Sequence, residues 1–103
     1  MIIVTTENIP GKKLEVLGLV KGSTVQSKNF GKDFMSGMKT LVGGEITGYT
    51  EMLNEARGIA TKRMADAAQA LGADAVVGMR YASSSVMQGA AEVVAYGTAV
   101  KFR

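Results

Sequence analysis

Apolar residues recur along this chain of 103 residues with two different periods, which separate strands from helices. The N-terminal part carries short runs rich in β-branched residues, which are typical of strands. They predict one strand at 2–5 and a second at 14–20, in which Gly18 indicates a bulge. Gly22 is expected to break or bend this second strand before a further piece at 24–28.

A helical period begins at Phe30. Apolar residues at three- and four-residue spacing predict a short helix over 30–42, and the pair Gly43-Gly44 would stop it. A long amphipathic helix is then predicted at 48–71, with an inner face dominated by alanine that should sit close to a sheet. A glycine inside a helix is unfavourable, so Gly58 is expected to mark a tight contact.

Two strands are predicted after the long helix. The first covers 75–82, and a polar connection at 83–90 leads to the second at 92–102. Residues 93–100 carry no charge on either side of the strand, so this strand should be covered on both faces of the sheet. One helix covers only one face, and the other face is therefore expected to be covered by another subunit.

The predicted elements define an α+β fold in which one long helix packs on an antiparallel or mixed sheet, as a single domain over 1–103. Composition supports self-association, because 47% of the residues are hydrophobic and a domain of this size buries a modest core by itself. A signal sequence and an apolar run of transmembrane length are both lacking. We therefore expect a cytoplasmic protein without a membrane partner.

The charge distribution argues against a nucleic-acid partner. The formal net charge is +3, and the excess is scattered lysine rather than a basic patch interleaved with aromatic residues. No nucleic-acid binding is expected.

Several short motifs resemble the YbjQ-like family, small bacterial proteins of unknown function that are often labelled heavy-metal-binding. In chain order they are Thr5-Thr6 with Gly11, Leu17-Gly18 with Val20, Gly43-Gly44, Tyr49, Ala56-Arg57, Ala60, the run Leu71-Gly72-Ala73-Asp74-Ala75-Val76-Val77-Gly78, and Gly97-Thr98-Ala99-Val100. The resemblance implies a β-α-β-β subunit similar to dodecin subunits. It also implies a homo-oligomeric ring, a pentamer, and the number five comes from the resemblance alone.

The donor chemistry of the chain does not suit the heavy-metal label. Soft metals prefer thiolates, thioethers and imidazoles, and the chain has no cysteine and no histidine. Its methionines, including Met35 and Met38, are better interpreted as packing residues. Glu51 and Glu55 lie one helical turn apart but lack a surrounding loop of oxygen ligands. We therefore expect no metal site and no cofactor.

The same composition leaves no nucleophile–histidine pair, so no catalytic residue is assigned. The candidates for ligand contact are Thr5, Thr6, Gly43, Gly44, Tyr49, Glu51, Glu55, Arg57, Arg80 and Tyr81. The glycine pair can present backbone N–H groups to an anion, although a turn is the simpler interpretation. Arg80 and Tyr81, with the two threonines, are expected to line a cleft between subunits.

The sequence favours a non-enzymatic homo-oligomer that binds a small ligand, an ion or a protein partner at its subunit interfaces. Two alternatives stay open at this point. One is a small enzyme with a shared active site built from Glu51, Glu55 or Arg57. The other is a purely structural scaffold.

Overall fold

A computed structural model describes residues 1–27, 41–42 and 45–103 of the chain. The elements in chain order are β1 (Ile2–Ile3), β2 (Leu14–Ser27), β3 (Leu41–Val42), β4 (Glu45–Ile46), α1 (Thr47–Ala70), β5 (Ala75–Met87) and β6 (Ala90–Phe102). The α+β class and the single long helix on a mixed sheet are confirmed.

Four of the strands form one sheet in the order β1-β5-β6-β2. β1 is parallel to β5, whereas β6 is antiparallel to both of its neighbours. The long strands β5 and β6 form a hairpin, and β2 pairs with β6 along nearly its whole length. β3 and β4 form a separate two-stranded pair.

Helix α1 packs across one face of this sheet, mainly over β2 and β6. A row of side chains spaced four residues apart is buried beneath it: Met52, Ala56, Ala60, Met64 and Ala68. They meet Val20, Val93, Ala95 and Ala99 from the sheet. Spacing by four places these residues on one stripe of the helix, so α1 buries a narrow face rich in alanine.

The alanines let the helix backbone approach the sheet, and Gly22 in β2 marks the closest point. A Cβ atom at Gly22 would overlap the carbonyl oxygen of Ala60 and the amide nitrogen of Met64, and would lie 2.7 Å from the carbonyl carbon of Arg63. These are backbone atoms, which cannot rotate away as a flexible side chain can. Arg63 also donates from Nη1 to the carbonyl oxygen of Ser23 at 2.7 Å, which ties the helix to the same part of β2.

Among the described residues, the opposite face of the sheet is covered only at one end. There Ala75, Val77 and Val100 form a small cluster with half-buried residues of the N-terminal segment. The rest of this surface carries the exposed side chains Val16, Leu19, Val25 and Tyr96, and we call it the uncovered face.

Two glycine predictions are wrong. Gly22 does not interrupt a strand, because β2 runs without a break from Leu14 to Ser27 and this residue provides space for the helix. Gly58 makes no tight contact, since a Cβ atom there would meet nothing within 4 Å. Gly18 does sit at an irregularity, because the register with β6 shifts between Val16 and Gly18.

Two element boundaries also differ from the prediction. The predicted helix over 30–42 lies largely outside the described residues, and its last two positions are β3, paired with β4. The predicted polar connection over 83–90 is wrong, because β5 continues to Met87 and β6 starts at Ala90. On the exposed part of a hairpin, serines form the same backbone pairing with the facing strand as apolar residues do. The polarity of this segment therefore did not indicate the position of the turn.

The close approach at Gly22 can be tested with a matched pair of glycine variants. Gly22→Ala should lower the free energy of unfolding by about 3 kcal/mol, because the methyl group overlaps helix backbone atoms. Gly58→Ala should raise it by about 0.5–1 kcal/mol, because the site is open and alanine favours the helix. Urea unfolding followed by circular dichroism measures both values.

Equal stability of the two variants would contradict this packing arrangement. A stabilised Gly22→Ala variant would show that the helix lies farther from β2 than the structure places it.

Candidate functional site

The candidate site is built around a bulge in β5. Register with β6 shifts between Val77 and Arg80, and Gly78 inside the bulge has φ +62°, a conformation that glycine adopts without strain. On the opposite strand, a Cβ atom at Gly97 would lie 2.6 Å from Val76 Cγ1 and 3.1 Å from the Val77 carbonyl oxygen. A glycine at position 97 thus leaves space for the bulge.

The N-terminal segment runs alongside the bulge, and its carbonyl groups accept hydrogen bonds from the backbone amides of the bulge. The amide of Gly78 donates to the carbonyl oxygen of Thr6 at 2.8 Å, and that of Met79 donates to Val4 at 3.0 Å. Thr6 Oγ1 donates in turn to the carbonyl oxygen of Asn8 at 2.8 Å. These bonds place residues 4–8 beside the start of β5.

The Arg80 side chain, just after the bulge, lies on the uncovered face, and Arg80 pairs with Tyr96 of β6. Its Nη1 donates to the carbonyl oxygens of Thr5 at 3.0 Å and Met79 at 2.8 Å. The guanidinium is therefore held by neutral carbonyl groups, and no carboxylate of the described residues forms an ion pair with it. Within one subunit, the structure thus brings the Thr5 backbone and the Arg80 side chain together.

An open depression of about 420 Å³ lies beside this arginine. It is lined by Glu7, Val16, Val77, Gly78, Arg80 and Thr98. Its walls come from the N-terminal segment, β2, β5 and β6, so four parts of the chain meet there. One cationic group, one anionic group, a hydroxyl and two aliphatic side chains face the same space, which suits a small ligand with polar and apolar parts.

Tyr81 does not belong to this group. Neighbouring residues of a strand point to opposite faces, and the Tyr81 hydroxyl lies 2.7 Å from Thr61 Oγ1 on helix α1. Within one subunit the sheet therefore separates Tyr81 from Arg80, and the predicted cleft between subunits stays a prediction.

The candidates on helix α1 also lie apart from the depression. Glu51, Glu55 and Arg57 are exposed, and Arg57 Nη1 donates to Asn54 Oδ1 at 2.7 Å within the same helix. Tyr49 is half-buried in the first turn of the helix. Gly43 and Gly44 lie outside the described residues.

Five lining residues were not predicted from the sequence: Glu7, Val16, Val77, Gly78 and Thr98. They come from four separate segments, and nothing in their local pattern predicts that they meet. A signal existed only for the bulge, since an isolated glycine within a predicted strand often marks one.

Comparison with known proteins places the chain in a family. A family model described as "Putative heavy-metal-binding", that of the YbjQ-like family, matches residues 1–103. The chain is 66% identical over 101 residues to a UPF0145 protein of Clostridium novyi, with 98% of each chain covered. It is 65% identical over 102 residues to a UPF0145 protein of Alkaliphilus metalliredigens, with 99% of each covered. The chain therefore belongs to the YbjQ-like (UPF0145) family, whose members are uncharacterised.

A solved structure is similar in fold. A crystal structure from Pediococcus pentosaceus, described as a protein of unknown function of the DUF74 family, superposes with a TM-score of 0.69 at 16% identity. The match covers 100% of this chain and 98% of that one. At this identity the likeness concerns the fold alone.

The residues present do not fit the metal that the family description suggests. Histidine and cysteine are missing from the whole sequence, and the described residues contain no cluster of three acidic side chains that could hold an ion. Met52, Met64 and Met79 are buried, and Met64 and Met79 belong to the apolar core between α1 and the sheet. Within the same described residues, no helix combines the length and apolar content that crossing a bilayer requires.

The mismatch with a soft-metal site predicts that zinc leaves the stability of the untagged protein unchanged. Zn²⁺ is held in proteins mainly by cysteine and histidine, so the thermal unfolding midpoint should be equal in buffers with ZnCl₂ and with EDTA. The same chain carrying a hexahistidine tag is the positive control for binding, measured by equilibrium dialysis. Saturable uptake of zinc by the untagged protein, with a raised midpoint, would contradict this prediction.

Proposed function

We propose that the protein is a homo-oligomer whose subunits cover one another's uncovered faces, and that it binds a small ligand in the depression beside Arg80. The observation that carries this proposal is the uncovered face itself. A sheet with a helix on one side and large apolar side chains exposed on the other is half of a layered structure.

The dimensions of a single subunit support association. The described chain measures 54 × 24 × 17 Å and has a Cα radius of gyration of 16.9 Å. A compact domain of about 100 residues has a radius of gyration of about 13 Å. The subunit is thus more extended than a protein that buries its core alone.

Two large aliphatic side chains are exposed on the uncovered face. Val16 is 69% exposed and Leu19 is 73% exposed, although both lie in strand β2, at the edge of the sheet, rather than in a loop. Large apolar side chains grouped on one face of a sheet are typical of contact sites between proteins. Burying one such leucine stabilises an interface by about 1.5–3 kcal/mol.

A free sheet edge provides a second contact. Within the described residues, β1 pairs with β5 only at Ala75 and Val76, so the segment 81–87 has β6 on one side and no strand on the other. It contains no charged residue and no proline, the usual protections of an edge strand. Val86 and Met87 are exposed on it. Such an edge accepts a strand from another chain.

The face and the edge are different surfaces, and contacts between two different surfaces join copies head to tail. When the rotation between copies closes, such contacts produce a ring. A ring of five is the assembly that the family resemblance implies. In this arrangement the depression beside Arg80 opens at the border of the uncovered face, which places a bound ligand at a subunit boundary.

The proposal predicts different effects for two leucines that are both exposed in the subunit. Leu19→Lys on the uncovered face should weaken self-association about tenfold or more, because a lysine charge replaces a side chain buried between copies. Leu71→Lys, at the end of α1 and 51% exposed, should leave the assembly unchanged. Native mass spectrometry of the untagged proteins measures the number of 10.8 kDa subunits.

A wild-type monomer would contradict the proposed assembly. So would a Leu19→Lys variant that assembles as the wild type does. Assembly of the wild type and of Leu71→Lys without any bound ligand would leave the scaffold interpretation and remove the binding part of the proposal.

A further inference from the structure

Glu7 and Arg80 line the same depression with opposite charges that do not neutralise each other. Neither residue forms an ion pair within the described part of the chain. Both charged groups are therefore available to a ligand bound in the depression. This arrangement identifies the chemistry of the ligand.

The guanidinium side of the depression suits a carboxylate. Arg80 uses Nη1 for the carbonyl oxygens of Thr5 and Met79, and its Nε and Nη2 groups retain three N–H donors. Donors on those two nitrogens form the planar fork that binds a carboxylate through two parallel hydrogen bonds. Because the arginine is already held by backbone carbonyls, less side-chain entropy is lost when it binds.

The opposite side suits an ammonium group. The exposed Glu7 carboxylate only accepts hydrogen bonds, and the half-buried Thr98 hydroxyl can accept as well. A simple anion bound at Arg80 would be repelled by Glu7, and a simple amine bound at Glu7 would be repelled by Arg80. A ligand with both charges satisfies both residues.

The remaining walls are aliphatic, because Val16 and Val77 line the depression. We infer that the depression binds a small zwitterion, specifically an α-amino acid with an aliphatic side chain. This inference rests on the proposed function and names the ligand class for its site. The carboxylate lies on Arg80, the ammonium group on Glu7, and the side chain against the two valines.

The test uses L-leucine and two analogues that each lack one charge. N-acetyl-L-leucine has no ammonium group, and L-leucinamide has no carboxylate. Isothermal titration calorimetry on the untagged full-length protein should show binding of L-leucine, and binding of each analogue about tenfold or more weaker, because one charge-assisted hydrogen-bonded contact is lost.

Two variants assign the charges to residues. Glu7→Gln should remove the preference for L-leucine over N-acetyl-L-leucine, and Arg80→Gln should remove the preference over L-leucinamide. The matched controls are Asp66→Asn and Lys62→Gln, which alter an exposed ion pair on α1 and should bind as the wild type does. The Glu7 side chain forms no hydrogen bond within the described residues. The Glu7→Gln variant is therefore expected to fold even if Arg80→Gln does not.

The outcomes separate this inference from the proposed function. Equal binding of L-leucine and N-acetyl-L-leucine, unchanged in Glu7→Gln, would overturn the zwitterion and leave an anion site beside Arg80. No binding of any of the three compounds would overturn the inference. The subunit number of each protein, measured by native mass spectrometry in the same samples, reports separately on the proposed assembly.

Discussion

The structure depends on the backbone contact between helix α1 and strand β2 at Gly22. No side chain separates the two elements there, because the position that would carry a Cβ atom is filled by the backbone of Ala60 and Met64. The alanines at 56, 60 and 68 allow the same approach along the helix. A helix that lies so close to the sheet buries little side-chain volume, so the core on this face is thin. A larger share of the apolar side chains then lies on the opposite face of the sheet.

Because the core under the helix is thin, the opposite face of the sheet carries much of the remaining apolar surface. The small cluster of Ala75, Val77 and Val100 covers one end of it, and the bulge in β5 with the N-terminal segment along it forms the wall of a depression. The same irregularity that breaks the strand register also turns Arg80 to this side and supplies the carbonyl groups that hold it. Exposed apolar side chains and charged groups therefore lie side by side.

Much of the fold could be predicted because helical and strand periods are local. The long helix, the two strands after it and the bulge at Gly18 follow from residue spacing. The extent of β2 and of the hairpin could not be predicted in the same way, because Gly22 and the serines of β5 are tolerated only through their tertiary neighbours. In the site, Thr5 and Arg80 were both among the predicted residues and lie together within one subunit, whereas Tyr81 lies on the helix side of the sheet.

The sequence by itself determined the donor chemistry and the class of fold. A chain without histidine and cysteine has few means to hold a soft metal, and its apolar periods define a helix on a sheet, whatever the details of packing. Only the tertiary structure decided which charged residues share a space. Glu7, Arg80 and Thr98 come from three segments far apart in the chain. Their meeting depends on strand register and on a bulge, and both are set by long-range contacts that no local pattern records.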